Sequence, residues 1–185
     1  MGNKMIFLHR AFLMIIVATL AQGQTPKASQ DKTPAAFAIK RIEGVYKTRF
    51  ANSTVHQEKF ESENILEIVS YTSDKIYFRV HLEFYNAHLC DLQGIALYED
   101  GLFVFRSSDG PETESCTLAI HPGRNGVTLE DVGGNCKVAS CGARGGYQGA
   151  GFPMSSRRAI RYLKRLRASK EYTETVAEFE KASRH

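Results

Sequence analysis

A series of short segments with alternating apolar and polar residues constrains the fold of this chain more than any other feature. This period of two is typical of strands that have one buried and one exposed face. We predict seven such strands and a short eighth one, at residues 42–50, 64–71, 75–84, 93–98, 102–106, 116–121, 126–132 and 137–140.

Turn-forming residues separate these segments. Residues 72–74 (Thr-Ser-Asp), the Asp100-Gly101 pair and residues 122–126 (Pro-Gly-Arg-Asn-Gly) are each suited to a tight connection between neighbouring strands. The expected fold is therefore mainly β, an antiparallel meander of about eight strands that forms a small barrel or a sandwich. A barrel is favoured because closure removes exposed strand edges.

The N-terminus has the pattern of a signal peptide at residues 1–23. Lys4 and Arg10 precede the apolar stretch 11–20, and Ala21-Gln22-Gly23 offers small residues for cleavage before Gln24. The apolar stretch is too short for a membrane-spanning helix. We expect a periplasmic or secreted protein without a transmembrane anchor, with a disordered leader at 24–36, a β-domain at 37–153 and a helical segment at 154–185.

The four cysteines all follow the predicted cleavage site, and an exported chain with an even number of cysteines favours two disulfides. Cys90, Cys116, Cys136 and Cys141 allow three pairings, and loop entropy does not choose among them. The pairing Cys90–Cys141 with Cys116–Cys136 is mildly favoured because Cys116 and Cys136 flank a predicted hairpin.

Residues 141–152 form a glycine-rich stretch in which Arg144 and Tyr147 are candidate binding residues. A nucleotide-binding loop would need a Gly-Lys-Ser/Thr motif between a strand and a helix, and this stretch lacks both features. Two interpretations stay open. The glycines shape a disulfide-pinned corner, or the Cys141–Phe152 loop presents Arg144 and Tyr147 to a partner.

Catalytic and metal sites are weakly supported by the pattern. No histidine can be assigned as a base to Cys141, so a cysteine hydrolase is disfavoured. The group His81, Glu83, His88, Cys90 and Asp91 lacks the spacing of a zinc site and suits a polar rim of the barrel. We predict no cofactor and favour a protein that is not an enzyme.

The C-terminal segment changes to a helical period after Pro153. Ser155 or Ser156 could cap an amphipathic helix, and either a second helical segment or an extension of this helix follows Ser169. Seven basic residues and no acidic one lie at 155–170, and Arg157, Arg158 and Arg161 are candidate binding residues. They could contact phosphate, lipopolysaccharide, anionic lipid or an acidic protein, or form a solvated face. Nucleic acid is not expected for an exported chain.

Four motifs resemble those of a group of small secreted bacterial proteins that are rich in β-structure. The resemblance covers residues 42 to about 170 and implies a periplasmic or secreted β-domain, but no activity. Its motifs are 63–68 (Glu-Asn-Ile-Leu-Glu-Ile), 81–84 (His-Leu-Glu-Phe), Cys136 with 141–145 (Cys-Gly-Ala-Arg-Gly), and 155–158 (Ser-Ser-Arg-Arg).

A shorter stretch, 141–144, is similar to the Ser-Gly-Ala-Arg form of the inhibitory loop in periplasmic inhibitors of C-type lysozyme, with Tyr147 slightly displaced from the loop tyrosine. Those inhibitors are small eight-stranded barrels whose loop enters the lysozyme cleft. Here a cysteine stands at the serine position, and the chain has no tryptophan to match their Trp-x-Lys-Gly region.

Two hypotheses follow. In the first, the chain is a non-catalytic exported barrel that binds a protein, such as a lysozyme, or an anionic envelope component through the Cys141–Phe152 loop and the basic helix. In the second, it is a small-ligand carrier or hydrolase that uses the barrel interior, with His81 or His88 near the mouth. A deep apolar pocket would favour the second hypothesis, and a filled barrel with an exposed Arg144 would favour the first.

Overall fold

The structure is a computed structural model that describes residues 33–107 and 115–184. The predicted signal peptide at 1–23 and the leader residues 24–32 lie outside the described residues. No helix in the described ranges is long and apolar enough to cross a membrane.

The described residues form one antiparallel sheet of nine strands, which confirms the prediction of a mainly β, barrel-like meander. The strands are hydrogen-bonded in the order β8-β7-β6-β5-β4-β3-β2-β1-β9. Their bounds are β1 Gly44–Ser53, β2 Lys59–Ser70, β3 Lys75–Glu83, β4 Leu89–Glu99, β5 Leu102–Arg106, β6 Thr117–Pro122, β7 Gly126–Val132, β8 Gly151–Pro153 and β9 Arg157–Arg158.

The sheet nearly closes through strands β8 and β9, which a single 3-10 turn at Met154–Ser156 connects. β8 pairs with the start of β7, and β9 pairs with β1 at Val45 and Tyr46. A Cβ atom at Gly44 would lie only 2.7 Å from the carbonyl oxygen of Arg158, so this seam needs a glycine. Beyond Tyr46, one edge of β1 has no strand partner among the described residues.

The barrel interior is filled by side chains. Because alternate residues of every strand point inward, one continuous apolar cluster runs through the barrel. Its large, fully buried members include Tyr46, Leu66, Ile68, Phe78, Leu82, Phe103, Leu118, Tyr147 and Phe152.

Helix α1, Pro34–Ile42, covers one end of the barrel. The prediction of a disordered leader up to Ala36 and a strand from Ile42 is wrong here. Thr33 caps the helix by accepting a hydrogen bond from the Ala36 N–H, and Pro34 suits the first helical turn. The helix buries its apolar side, Ala35, Ala38, Ile39 and Ile42.

Helix α2, Asn135–Ser140, stands where the sequence predicted an eighth strand at 137–140. The Asp131 carboxylate, which is 7% exposed, accepts hydrogen bonds from the backbone N–H groups of Cys136 and Lys137 at 3.0 and 2.8 Å. These bonds satisfy donors that a first helical turn leaves without partners, and therefore favour a helix at this position.

The C-terminal segment is helical over a shorter range than predicted. Residues 157–162 are not helical, since Arg157 and Arg158 form strand β9 in the seam with β1, and Ser155 and Ser156 belong to the 3-10 turn before it. Helix α3 spans Leu163–Arg167, and α4 spans Lys170–Ala182 with Ser169 as its cap; of the two predicted alternatives after Ser169, the structure has the second helical segment. Both helices pack on the outer face of the sheet, where Val69, Tyr77, Ile95 and Leu166 form a second apolar cluster.

Candidate functional site

Two disulfides join Cys90 to Cys141 and Cys116 to Cys136, which confirms the favoured pairing. All four cysteines are oxidised, so none is available as a thiol nucleophile. Two disulfides in a chain of this size indicate an oxidising compartment.

The first part of the glycine-rich stretch, residues 141–146, lies at the barrel end opposite α1, which we call the loop end, whereas its last residues form β8 and pair with the start of β7. Cys141 is bonded to Cys90 at the start of β4, and the Gly142 N–H donates to the Leu89 carbonyl at 2.9 Å. A Cβ atom at Gly145 would lie 2.5 Å from the Cys90 sulfur. The disulfide, the hydrogen bond and this close approach fix the loop against β4.

Tyr147, predicted to be presented on the surface, is fully buried. Its hydroxyl shares a hydrogen bond of 2.8 Å with Ser140 Oγ, and burial raises the pKa of Tyr147 to about 12. The prediction that Tyr147 is exposed on the loop is therefore wrong. The ring belongs to the barrel core, and its hydroxyl supports α2.

Arg144 is exposed, and several exposed apolar side chains belong to the same end of the barrel. Val138 of α2 is 83% exposed, and Tyr85 and Leu89 in the β3–β4 connection are each 43% exposed. Val55, also exposed, is held beside this connection because its N–H donates to Asn86 Oδ1 at 3.3 Å. We call the surface formed by Val55, Tyr85, Leu89, Val138 and Arg144 the loop face.

The sequence analysis missed the four apolar residues of the loop face. Tyr85 and Leu89 flank a short connection that contains Asn86 and His88. An aromatic residue beside such a polar turn is the signal from which its exposure could have been predicted. Val138 was assigned to a strand, where alternation would have buried it.

The basic residues after Pro153 form a second surface that begins at the barrel end covered by α1 and extends onto the outer face of the sheet, where Arg165 lies near His81 and Asp91. We call residues 157–167 the cationic arm. Arg157 is used structurally, since its guanidinium donates to the carbonyls of Arg41 and Glu43 at 2.7 and 3.1 Å. Arg158 and Arg161 are exposed.

The cationic arm is fixed to the barrel by a buried carboxylate. Glu67 is only 2% exposed and accepts a hydrogen bond from the Tyr162 hydroxyl. Its Oε2 atom also forms an ion pair with Arg79 Nε at 2.6 Å. Burial, together with the bond to Glu67, raises the pKa of Tyr162 to about 12. Leu163 and Leu166 pack beside this contact on the outer cluster.

The predicted binding residues do not form one surface. Arg144 lies beside the start of β4, whereas Arg157 and Arg158 pair with the start of β1, at the other end of the barrel. Neighbouring strands of the meander are antiparallel, so the starts of β1 and β4 lie at opposite ends. Arg144 and the basic segment therefore belong to two separate surfaces, although the Cys141–Phe152 loop ends at β8, next to the seam.

The predicted polar group around His81 is a set of ion pairs on the outer face of the sheet. His81 Nδ1 lies 2.7 Å from Asp91 Oδ1, and Nε2 lies 3.4 Å from Glu83 Oε1. Cys90 points inward to its disulfide and is not part of the group. In the described ranges, no three His, Cys, Asp or Glu side chains are grouped as metal ligands would be.

Comparison of the sequence with protein-family models and with curated proteins, and of the fold with solved structures, finds no match.

Proposed function

We propose that this chain is an exported, non-catalytic binding protein of a bacterial envelope, periplasmic or secreted, and that it docks a protein partner on the loop face. The observation that carries the proposal is that four exposed apolar side chains lie at the same end of the barrel as Arg144, which stands on a rigid loop. Exposed apolar patches rimmed by polar residues mark interaction sites. Aromatic residues and arginine supply much of the binding energy in protein interfaces.

The rigidity of the loop supports this use. The Cys90–Cys141 disulfide and the hydrogen bond from Gly142 to Leu89 hold Arg144 in place before any partner arrives. Binding then orders few additional groups, which reduces the entropic cost of association. The two disulfides and the predicted signal peptide support export.

The filled barrel supports a surface function over the carrier hypothesis. A carrier needs an interior cavity for its ligand, but side chains such as Phe78, Phe103 and Tyr147 occupy the barrel centre. A hydrolase that uses a cysteine would need a free thiol, and all four cysteines are paired.

Inhibition of C-type lysozyme is the second candidate function. It is favoured by the exposure of Arg144 within the 141–144 segment that resembles an inhibitory loop. Tyr147, just after this segment, is buried. Arg144 is therefore the side chain that could enter an enzyme cleft.

The proposal is tested by affinity capture from envelope extract, followed by binding of the purified captured protein to variants. We expect Arg144→Glu and Val138→Asp each to weaken that binding at least about tenfold, as for anchor residues of an interface. The matched control is Lys181→Glu on exposed α4, which should bind like the wild type. Equal binding by all four proteins would place the partner elsewhere and refute the proposal.

C-type lysozyme serves as a defined probe in the same series. Inhibition at micromolar protein that is lost in Arg144→Glu would identify the chain as an inhibitor. An absence of inhibition removes this candidate without affecting the captured partner.

A further inference from the structure

We propose that the barrel end covered by α1 docks on the surface of an anionic phospholipid bilayer through the cationic arm and α1. This inference goes beyond the proposed protein binding and rests on different residues. It combines an uncompensated charge array, the position of α1 beside that array, and one exposed aromatic ring.

The cationic arm carries five exposed basic residues that are not ion-paired. No carboxylate of the described residues lies within salt-bridge distance of Arg158, Arg161, Lys164, Arg165 or Arg167. The apolar residues Ile160, Leu163 and Leu166 of the same segment pack toward the sheet. The arm therefore has an apolar inner side and a positively charged outer side.

Helix α1 extends the positive surface. Arg157 donates to the carbonyls of Arg41 and Glu43 at the end of α1, which fixes the helix beside the arm. Arg167 donates to the Ser70 carbonyl at 3.2 Å, and the Ser70 N–H donates to Glu43 Oε1 at 3.0 Å. These contacts bring the exposed Lys40 and Arg41 to the same end of the barrel as the arm.

Phe37 supplies an apolar side chain within this charged surface. It is 68% exposed on α1, whereas Ala35, Ala38, Ile39 and Ile42 of that helix are buried on the barrel. Its nearest basic residue along the helix is Lys40. Aromatic residues next to Lys and Arg are the combination that binds helices at membrane interfaces, where the ring enters the headgroup region and the cations contact phosphates.

The chemistry favours a bilayer over an acidic protein. The exposed residues of the arm are Arg and Lys with Ala159, so the arm offers none of the packed aromatic anchors on which protein interfaces depend. A lipid leaflet needs no such anchors, because many mobile phosphates can meet an array of cations. Guanidinium groups also contact phosphate oxygens in pairs.

The test uses the protein purified from the periplasm of an expressing cell and sedimentation with vesicles. One vesicle preparation contains about 30% phosphatidylglycerol in phosphatidylcholine, and the other contains phosphatidylcholine alone. We expect binding to the anionic vesicles only, and its loss in about 0.5 M salt, where exposed charges are screened. The triple variant Arg158→Gln, Arg161→Gln, Lys164→Gln should lower the partition coefficient about 100-fold, since each cation near an anionic leaflet contributes about fivefold.

A matched triple variant, Lys59→Gln, Lys181→Gln, Arg184→Gln, removes the same charge from other surfaces and should bind like the wild type. Phe37→Ser should weaken binding without changing the urea midpoint, because the ring is exposed. If the two triple variants lost vesicle binding equally, binding would depend on net charge alone, and the proposal would be overturned. Binding to an acidic protein such as ovalbumin, with none to anionic vesicles, would also overturn it.

Discussion

At the scale of single residues, burial and nearby charges on the outer face of the sheet have opposite effects on the pKa of His81. His81 shares a row with Lys47, Ile65 and Asp91 across four neighbouring strands. Partial burial lowers the pKa of His81, but hydrogen bonds and charge interactions with Asp91 and Glu83 outweigh it, so the net pKa is raised above 6.5. The folded state therefore holds the His81 proton more tightly than the unfolded chain does.

This shift makes stability depend on pH in a defined direction. A raised folded pKa contributes stability that is complete below the unfolded value of 6.5 and is lost as pH rises through the higher folded pKa. We expect the difference in free energy of unfolding between the wild type and His81→Gln to be largest near pH 6 and to shrink toward pH 8. Urea titrations across this range measure it.

The Asp91→Asn variant is the control for this titration, because it keeps the size of the side chain and removes the charge that holds the proton. Its stability should vary less with pH than that of the wild type over the same range. A wild-type difference from His81→Gln that grows as pH rises would contradict the assigned direction.

At the scale of secondary-structure elements, sequence patterns identified strands well and short helices poorly. The bounds of β5 and β7 were predicted to the residue, because strict alternation is bordered there by turn residues. Helix α2 was mistaken for a strand, since its decisive contact, the carboxylate of Asp131, belongs to the preceding strand. The start of the C-terminal segment was mistaken for a helix because pairing with β1 overrides its helical period.

Asp131 gives a direct test of how α2 is held. Asp131→Ala removes the acceptor for two backbone donors, of which that of Cys136 is buried, and we expect a loss of about 1–2 kcal/mol in the free energy of unfolding. Asp131→Asn keeps one acceptor oxygen and should lose less. Chemical denaturation followed by circular dichroism compares the two variants, and equal stability of Asp131→Ala and wild type would show that these bonds do not support the helix.

At the scale of the whole molecule, much of the architecture followed from the sequence, whereas the arrangement of the site did not. The meander and the disulfide pairing were both predicted, because adjacent strands in sequence are adjacent in the sheet. Which residues share an end of the barrel depends on strand direction and register. For this reason the sequence grouped Arg144 with Arg158, although the structure separates them.

The two disulfides should stabilise the chain unequally. The Cys90–Cys141 bond spans 51 residues and the Cys116–Cys136 bond spans 20. Loop entropy predicts losses of about 4 and about 3 kcal/mol when each pair is replaced by alanine. Urea unfolding of the two double variants measures both losses.

The Cys90→Ala, Cys141→Ala variant should also weaken partner binding at the loop face, because it frees the loop that carries Arg144. The Cys116→Ala, Cys136→Ala variant is the comparison, since its bond holds α2, which carries Val138, but does not tie the Arg144 loop to β4. If the two variants bind the partner equally well, rigidity of the loop is not what the partner requires.

The incomplete pairing of β1 has a consequence for solubility at high concentration. From Lys47 to Ser53, one edge of this strand has no neighbouring strand among the described residues, and an open edge can recruit a strand from another copy and start aggregation. Lys47 and Arg49 stand on this strand and bind Glu63 across the hairpin. A second copy that paired there would have to desolvate these charges, so the ion pairs protect the seam that the short β9 leaves open.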